Sequence, residues 1–359
     1  MQLGTELGLG SQATAVVEDI DRQMTAQEQF IRRIGCWKQV CAAAEGDASA
    51  ITVPDHVPPE LRHAAHSTIT ALAIRRIWAS SRIVYALHPQ MLAELADSSS
   101  EQLPGPIFGY LPHTDPLVSF PEPIPTTTPD GARGRILGFY VYGSAGRPRQ
   151  LCSSHDEDRD RLGLMFVTAL NDERGKRIDT DLTRVTIPVG DGQFTVDQAV
   201  DRTLAAFAVE PGMLMLSDRM RTWLTELVRT AVNVLLYLCS EEPDTLVVRP
   251  AGQRRSKGKS GKAGKPARMI KVGWRLGPAF HTARRVAANA PAETGTGRRR
   301  PNPHQRRGHF RTYWTGHGRT TPILRFIKPF WVNLDLVTDP TGGAAEHKVI
   351  TVGPRQGEY

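Results

Sequence analysis

The stretch from Ser217 to Cys239 constrains the fold more than any other. Met220, Trp223, Leu224, Leu227, Val228, Ala231, Leu235 and Leu238 recur at helical spacing, and the last turns, AVNVLLYLC, are apolar nearly all round. An amphipathic helix lies on a core, whereas a helix without a polar face has to lie inside one. The pattern predicts a central core helix capped by Ser217 or Asp218 and stopped by Glu241, Glu242, Pro243 and Asp244. Its longest apolar run, Val234 to Cys239, falls far short of the roughly 20 residues that cross a bilayer, so no membrane partner is expected.

Around that helix the chain reads as mixed. Gln12 to Ala44 is predicted as one long amphipathic helix, with Val16, Ile20, Met24, Ile31, Ile34 and Val40 on its stripe; a second helix begins after Pro58 and Pro59. RIVYAL from Arg82 to Leu87 reads as a strand and His88 to Ala96 as a short helix. Eight prolines between Leu103 and Pro129 forbid regular helix and suggest extended backbone lying along a surface, either a peptide-recognition segment or, as is commoner inside a domain, a packed connector. Ile136 to Tyr142, LGLMFVTALN after Arg161, and Thr183 to Val189 read as strands; Gly190-Asp191-Gly192 reads as a turn. Thr195 with Gln198 has the form of a capping box opening a further helix. Met269 to Leu276 is read as a strand, Phe280 to Ala288 as a short helix and Val349 to Val352 as a final strand.

The expected class is therefore α+β: a helical N-terminal region, a mixed sheet packed on the central apolar helix, and a basic C-terminal β-hairpin. The expected organisation is a helical region over residues 1–80, an α+β core over 81–250, a disordered basic loop over 251–266 and a basic, β-rich region over 267–359. The loop, AGQRRSKGKSGKAGKP, has nothing to anchor a core; it is either a nonspecific phosphate-tracking element or a solubilising linker.

Charge is distributed unevenly. The whole chain carries +8, yet between Asp244 and Asp335 stand 21 Lys and Arg against the single acid Glu293, so the remainder is net acidic. Such asymmetry predicts a polyanionic partner for the basic part, or docking of one part on the other. Cys36, Cys41, Cys152 and Cys239 show no CxxC spacing, and the first residues lack the basic start and apolar core of a secretory signal; both point to a reducing cytoplasm.

The basic region is most concentrated in HQRRGHFRTYWTGHGRTTPILRFIKPFWVN, His304 to Asn333, which contains no acid. Read with period two, His309, Arg311 and Tyr313 share one side of a strand, and Phe310, Thr312 and Trp314 share the other. Gly316 and Gly318 bracket His317 in a turn, and Ile323 to Lys328 returns. The candidate binding residues are Arg306, Arg307, His309, Arg311, Tyr313, Trp314, His317, Arg319, Arg325 and Lys328. Guanidinium groups among aromatic faces suit phosphates and unstacked bases, or an acidic peptide; the competing reading is a basic hairpin whose rings fill the core.

Catalytic signals are weak. No GxGxxG, Walker loop, nucleophile elbow or HExxH occurs, and no cofactor is expected. His56, His63 and His66, or the carboxylates of HDEDRDR at His155 to Arg161, would serve a metal, but their spacing favours ordinary surface roles. His304, His309 and His317 beside Arg311 and Lys328 would be the constellation for a metal-independent ribonuclease.

Several stretches together resemble a family of plasmid and phage proteins that includes a type V-A anti-CRISPR protein. They are RIVYALHPQMLAELA, LLYLCSEEP at Leu235 to Pro243, VGWRLG at Val272 to Gly277, RRGHFRTYWTGHGR at Arg306 to Arg319, and FIKPFWVN at Phe326 to Asn333; the resemblance runs from about Arg82 to Asn333. It implies a translation-coupled silencer, a protein that engages the N-terminal segment of the type V-A nuclease as it leaves the ribosome, after which the encoding mRNA is lost. It also implies a nascent polypeptide as partner, with RNA or ribosome contact through the basic C-terminal region, and it transfers no individual residue role. Three expectations follow: an anti-CRISPR-like regulator that binds a nascent polypeptide without catalysis, a nucleic-acid-binding protein of a mobile element, or the ribonuclease.

Overall fold

A computed structural model of the chain describes residues 2–47, 51–98, 103–143, 161–172, 174–189, 192–208, 218–248, 267–288, 304–319 and 321–332. The HDEDRD run, the Gly190-Asp191 turn, the Lys/Gly/Ser loop and Val349 to Val352 lie outside those residues.

Helices α1 (Gln2–Arg33), α2 (Trp37–Glu45) and α3 (Pro59–Ser81) come first. The single helix expected over Gln12 to Ala44 is thus two, and the reason is Gly35. At φ 74° it takes the left-handed conformation that ends helices, with Cys36 N donating to Ile31 O and Gly35 N to Arg32 O. Periodicity did not register this break because Ile31, Cys36 and Val40 stay buried on the same core across the corner.

Strand β1 (Ile83–Leu87) and helix α4 (Pro89–Ala96) follow as expected. A short strand β2 (Leu103–Pro104), a 3-10 turn over Gly105–Tyr110 and then β3 (Leu117–Thr127) occupy the proline-rich stretch. The extended backbone is present and, of the two readings, the packed one holds over its central part, not the placement along a surface: Leu117, Val118 and Phe120 are buried and β3 is an inner strand. Prolines are tolerated because β1 pairs only with Leu117–Ser119, and the ladder to the next strand is irregular between Ser119 and Ile124. Over Pro121 to Pro125 one side of β3 is in effect an edge, where a missing N–H costs nothing.

Next come β4 (Arg133–Tyr142), β5 (Arg161–Asn171), β6 (Arg177–Pro188), β7 (Gln193–Phe194), α5 (Val196–Ala208) and α6 (Asp218–Cys239), then β8 (Thr245–Val248), β9 (Arg268–Val272) and α7 (Leu276–Ala288). The capping box forms: Gln198 N donates to Thr195 Oγ1 at 3.2 Å and Thr195 N to Gln198 Oε1 at 3.0 Å. A seven-stranded mixed sheet has the order β6-β5-β4-β3-β1-β9-β8, with β1 parallel to β3 and β9 and the other pairs antiparallel.

Side-chain alternation divides the sheet between two cores. On β5, Leu162, Leu164 and Phe166 face α4 to α7, whereas Met165, Val167 and Ala169 face α1 to α3. Helix α6 is the centre of the first core, with Ala231 to Cys239 buried without interruption. Its polar member Asn233 is fully buried and donates to Leu95 O in the last turn of α4 at 2.8 Å and to Ser98 O just beyond it at 3.1 Å. Cys239 is buried here, and burial pushes its thiol up to about 12, as for a packing residue.

Candidate functional site

The candidate residues lie on a two-stranded ribbon. Strands β10 (His304–Arg306), β11 (His309–Thr315), β12 (Thr321–Ile327) and β13 (Phe330–Val332) pair as β11 with β12 and β10 with β13, both antiparallel. Pairing is interrupted at Arg307-Gly308 and Lys328-Pro329, where proline has no N–H to offer a ladder. The tip is a 3-10 turn, His317–Arg319; Gly318 and Arg319 within it and Gly316 just before it have positive φ.

One face of the ribbon is anchored and the other is open. Phe310 and Phe326 pack with centroids 5.1 Å apart, Tyr237 of α6 meets Phe326 edge-on at 5.3 Å, and Leu324 is buried. Glu241 N donates to Leu324 O at 2.8 Å, which ties the end of α6 to β12. A Cβ on Gly308 would come within 2.8 Å of the Phe326 ring, so the backbone approaches here as only glycine allows. For Phe310 and Phe326, then, the core-filling reading holds.

The opposite face carries the charge. Register places Arg311 opposite Arg325 and Tyr313 opposite Ile323, and both guanidinium groups lie 5.2 Å from the Tyr313 ring. Arg325 Nε also bonds Glu241 Oε2 at 2.5 Å, and that hydrogen bond raises the pKa of the guanidinium. Among the described residues no carboxylate pairs with Arg306, Arg307, Arg311, Arg319 or Lys328, all of which are exposed. Arg306 instead lies 5.5 Å from the ring of Phe330, its partner in the ladder. Trp314, on the anchored face by parity, stands beyond the anchored part and is 46% exposed; Phe330 is 43% exposed.

The structure brings Arg311, Tyr313 and Arg325 together and leaves the other candidates dispersed. His309 and His317 do not converge. His309 is at the base of β11 and His317 at the tip, about 20 Å apart at the rise of an extended strand. They cannot act on one phosphodiester as acid and base, and the ribonuclease arrangement is not formed by this pair. In the N-terminal region His56 Nε2 bonds Ile34 O at 3.0 Å and His63 is exposed; no group of three metal-ligating side chains occurs among the described residues.

Residues that were not singled out from sequence connect the resembling stretches to one another. His88 caps α4, accepting from Gln90 N at 3.2 Å, while its own N–H donates to Val272 O at 2.9 Å. Asp244, buried, accepts from Arg275 N at 2.8 Å, Leu276 N at 2.9 Å and Arg275 Nε at 2.8 Å, and its own N–H donates to Tyr237 Oη at 2.7 Å. A Cβ on Gly277 would lie 2.1 Å from His88 Nδ1. RIVYALHP, LLYLCSEEP, VGWRLG and the ribbon thus form one contiguous unit around the ends of β1, β9 and α6. The family model described as AcrVA2-like, anti-CRISPR type V subtype A2 family, matches residues 85–334, a span that begins in β1 and includes this unit except Arg82 to Val84.

The chain belongs to the AcrVA2-like anti-CRISPR family. Helices α1 to α3 lie outside the matched span although they cover one face of its sheet. No curated protein sequence matches the chain. Within the AcrVA2-like span there is also an open cleft of about 750 Å³ beside α6, lined by Thr126, Gly134, Asn171, Arg219, Trp223 and Glu226, with Trp223 Nε1 donating to Thr126 Oγ1 at 2.9 Å. Its lining mixes guanidinium and carboxylate groups, Arg133, Arg135 and Arg219 with Asp172 and Glu226.

Proposed function

We propose that this AcrVA2-like protein binds the nascent polypeptide of a CRISPR effector in the cytoplasm through the open face of its ribbon, and that this binding triggers loss of the effector's mRNA. The protein breaks no bond itself. Family membership supports a CRISPR effector as target. The observation that carries the mode of action is the Arg311, Tyr313, Arg325 triplet: two exposed guanidinium groups beside one ring, of which only Arg325 is paired, with Glu241. Groups so placed grip carboxylates and peptide or base planes without supplying a nucleophile or a general base.

A second reading, RNA or DNA binding without a peptide target, is favoured by the excess of Lys and Arg between Asp244 and Asp335. One experiment separates the two. A reporter message carrying the effector's early coding segment is expected to fall only when that segment is translated in frame; a frameshift that keeps nearly all the RNA sequence should restore it. Equal loss from both messages would overturn the nascent-chain reading in favour of nucleic-acid recognition.

A further inference from the structure

Strand β8 is the last strand of the sheet, and its outer side has no neighbour among the described residues. The direction of its backbone groups can be assigned. Gly273 N donates to Asp244 O at 2.7 Å, and on the other side of β9 Arg268 N donates to Arg82 O and Val272 O accepts from His88 N. With Thr245 opposite Val272 in the register, alternation makes Leu246 and Val248 the residues bonded to β9. The N–H and C=O of Thr245 and Val247 therefore point away from the sheet.

The two central side chains of β8 are partly uncovered: Leu246 and Val247 point to opposite faces and are 39% and 38% exposed. The large exposed apolar side chains among the described residues are these two with Tyr110, Trp314 and Phe330. Edge strands are ordinarily blunted by shortness, charge, proline or a bulge; Thr245–Val248, TLVV, is short but carries no charge, proline or bulge. A bare apolar edge of this kind is a template for strand addition.

We propose that β8 receives an extended segment of the target polypeptide as an added strand, with apolar side chains at its centre and acidic residues beside them. A second copy of this chain is the poorer occupant. Pairing β8 with β8 would bring together two spans that each carry 21 Lys and Arg against one acid, and like charge at that density opposes association. The same excess attracts an acid-bearing peptide. The cationic ribbon is anchored at Glu241, immediately before β8, through Leu324 O and Arg325. This inference rests on a polypeptide being the target and specifies where its backbone is held.

Val247→Pro tests it, because proline removes an outward N–H and leaves the ladder to β9 intact. Val247→Thr keeps the N–H and is the control. The purified full chain is titrated with short overlapping peptides that tile a type V-A CRISPR nuclease, and amide hydrogen exchange is followed in the complex. The expected result is a peptide that slows exchange at Thr245 and Val247, binds V247T, and binds V247P at least about tenfold more weakly. Equal binding to V247P, or a complex without protection at those amides, would overturn strand addition while leaving a polypeptide target standing. Binding of no tiled peptide, or self-association through β8 in its place, would overturn both. Should V247P not fold, protection of the two amides in the wild-type complex decides the matter.

Discussion

Arg311 and Arg325 stand directly opposite each other across the two strands of the C-terminal ribbon, each guanidinium 5.2 Å from the ring of Tyr313. Like charges at directly opposed positions of a ladder are destabilising. The Tyr313 ring and the Glu241 carboxylate compensate in part, but only Arg325 is paired with that carboxylate. Selection for stability alone would not place two arginines here, whereas a surface kept for a partner would.

Removing these arginines is therefore expected to affect binding and not folding. Arg311→Ala and Arg325→Ala should each weaken target capture about tenfold, with reduced sensitivity to salt, and leave the thermal midpoint close to wild type. Titration of the target against each variant at two ionic strengths checks this; a large fall in midpoint with unchanged binding would assign the pair a structural role.

Phe326 does the opposite work on the same hairpin. Its ring lies between Phe310 and Tyr237 and against Gly308, so Phe326→Ala removes most of what holds the ribbon to α6. A loss of about 3 kcal/mol is expected, at the low end for an aromatic truncation because the residue is only partly buried. Chemical denaturation measures it.

How much of this was legible in the sequence depended on whether the determinants were local. The capping box at Thr195 and Gln198, the core helix ending at Cys239, and the alternation of His309 to Trp314 each follow from a period or a short motif, and each is present. The corner at Gly35 was missed because the apolar stripe continues through it; the inner position of β3 was missed because proline density says nothing about which side of a strand is paired. Strand β8 was missed because TLVV is short and abuts the stop signal of α6. Within the site, Arg311, Tyr313 and Arg325 could be placed on one ribbon from alternation, but Glu241 could not be placed beside Arg325, since that contact joins residues from distant parts of the chain.

Asp244 should be the most sensitive single position outside the apolar cores. Its carboxylate accepts two backbone N–H groups at the start of α7 and the Arg275 guanidinium. Asp244→Ala leaves those donors unsatisfied in a site where the side chain is 3% exposed, so a cost of about 3 kcal/mol or more is expected. Urea unfolding of D244A against Asp244→Asn, which retains an acceptor oxygen, separates the loss of hydrogen bonds from the loss of charge.

Stability is also expected to depend on pH through His88. Burial lowers its pKa from the ordinary 6.5 to about 4, with His281 adding to the shift and Asp244 partly opposing it. Geometry gives the same sign, since Nδ1 accepts from Gln90 N and a protonated ring cannot. A histidine whose folded pKa is depressed favours the folded state only while neutral. Its contribution is complete above about pH 6.5, the unfolded value, and is lost as pH falls toward 4. His88→Asn keeps an oxygen acceptor at the N-cap and removes the titration, so the midpoint of H88N should vary less than that of wild type between pH 6.5 and 4. Thermal melts across that range measure the difference; identical pH profiles would place the sensitivity elsewhere.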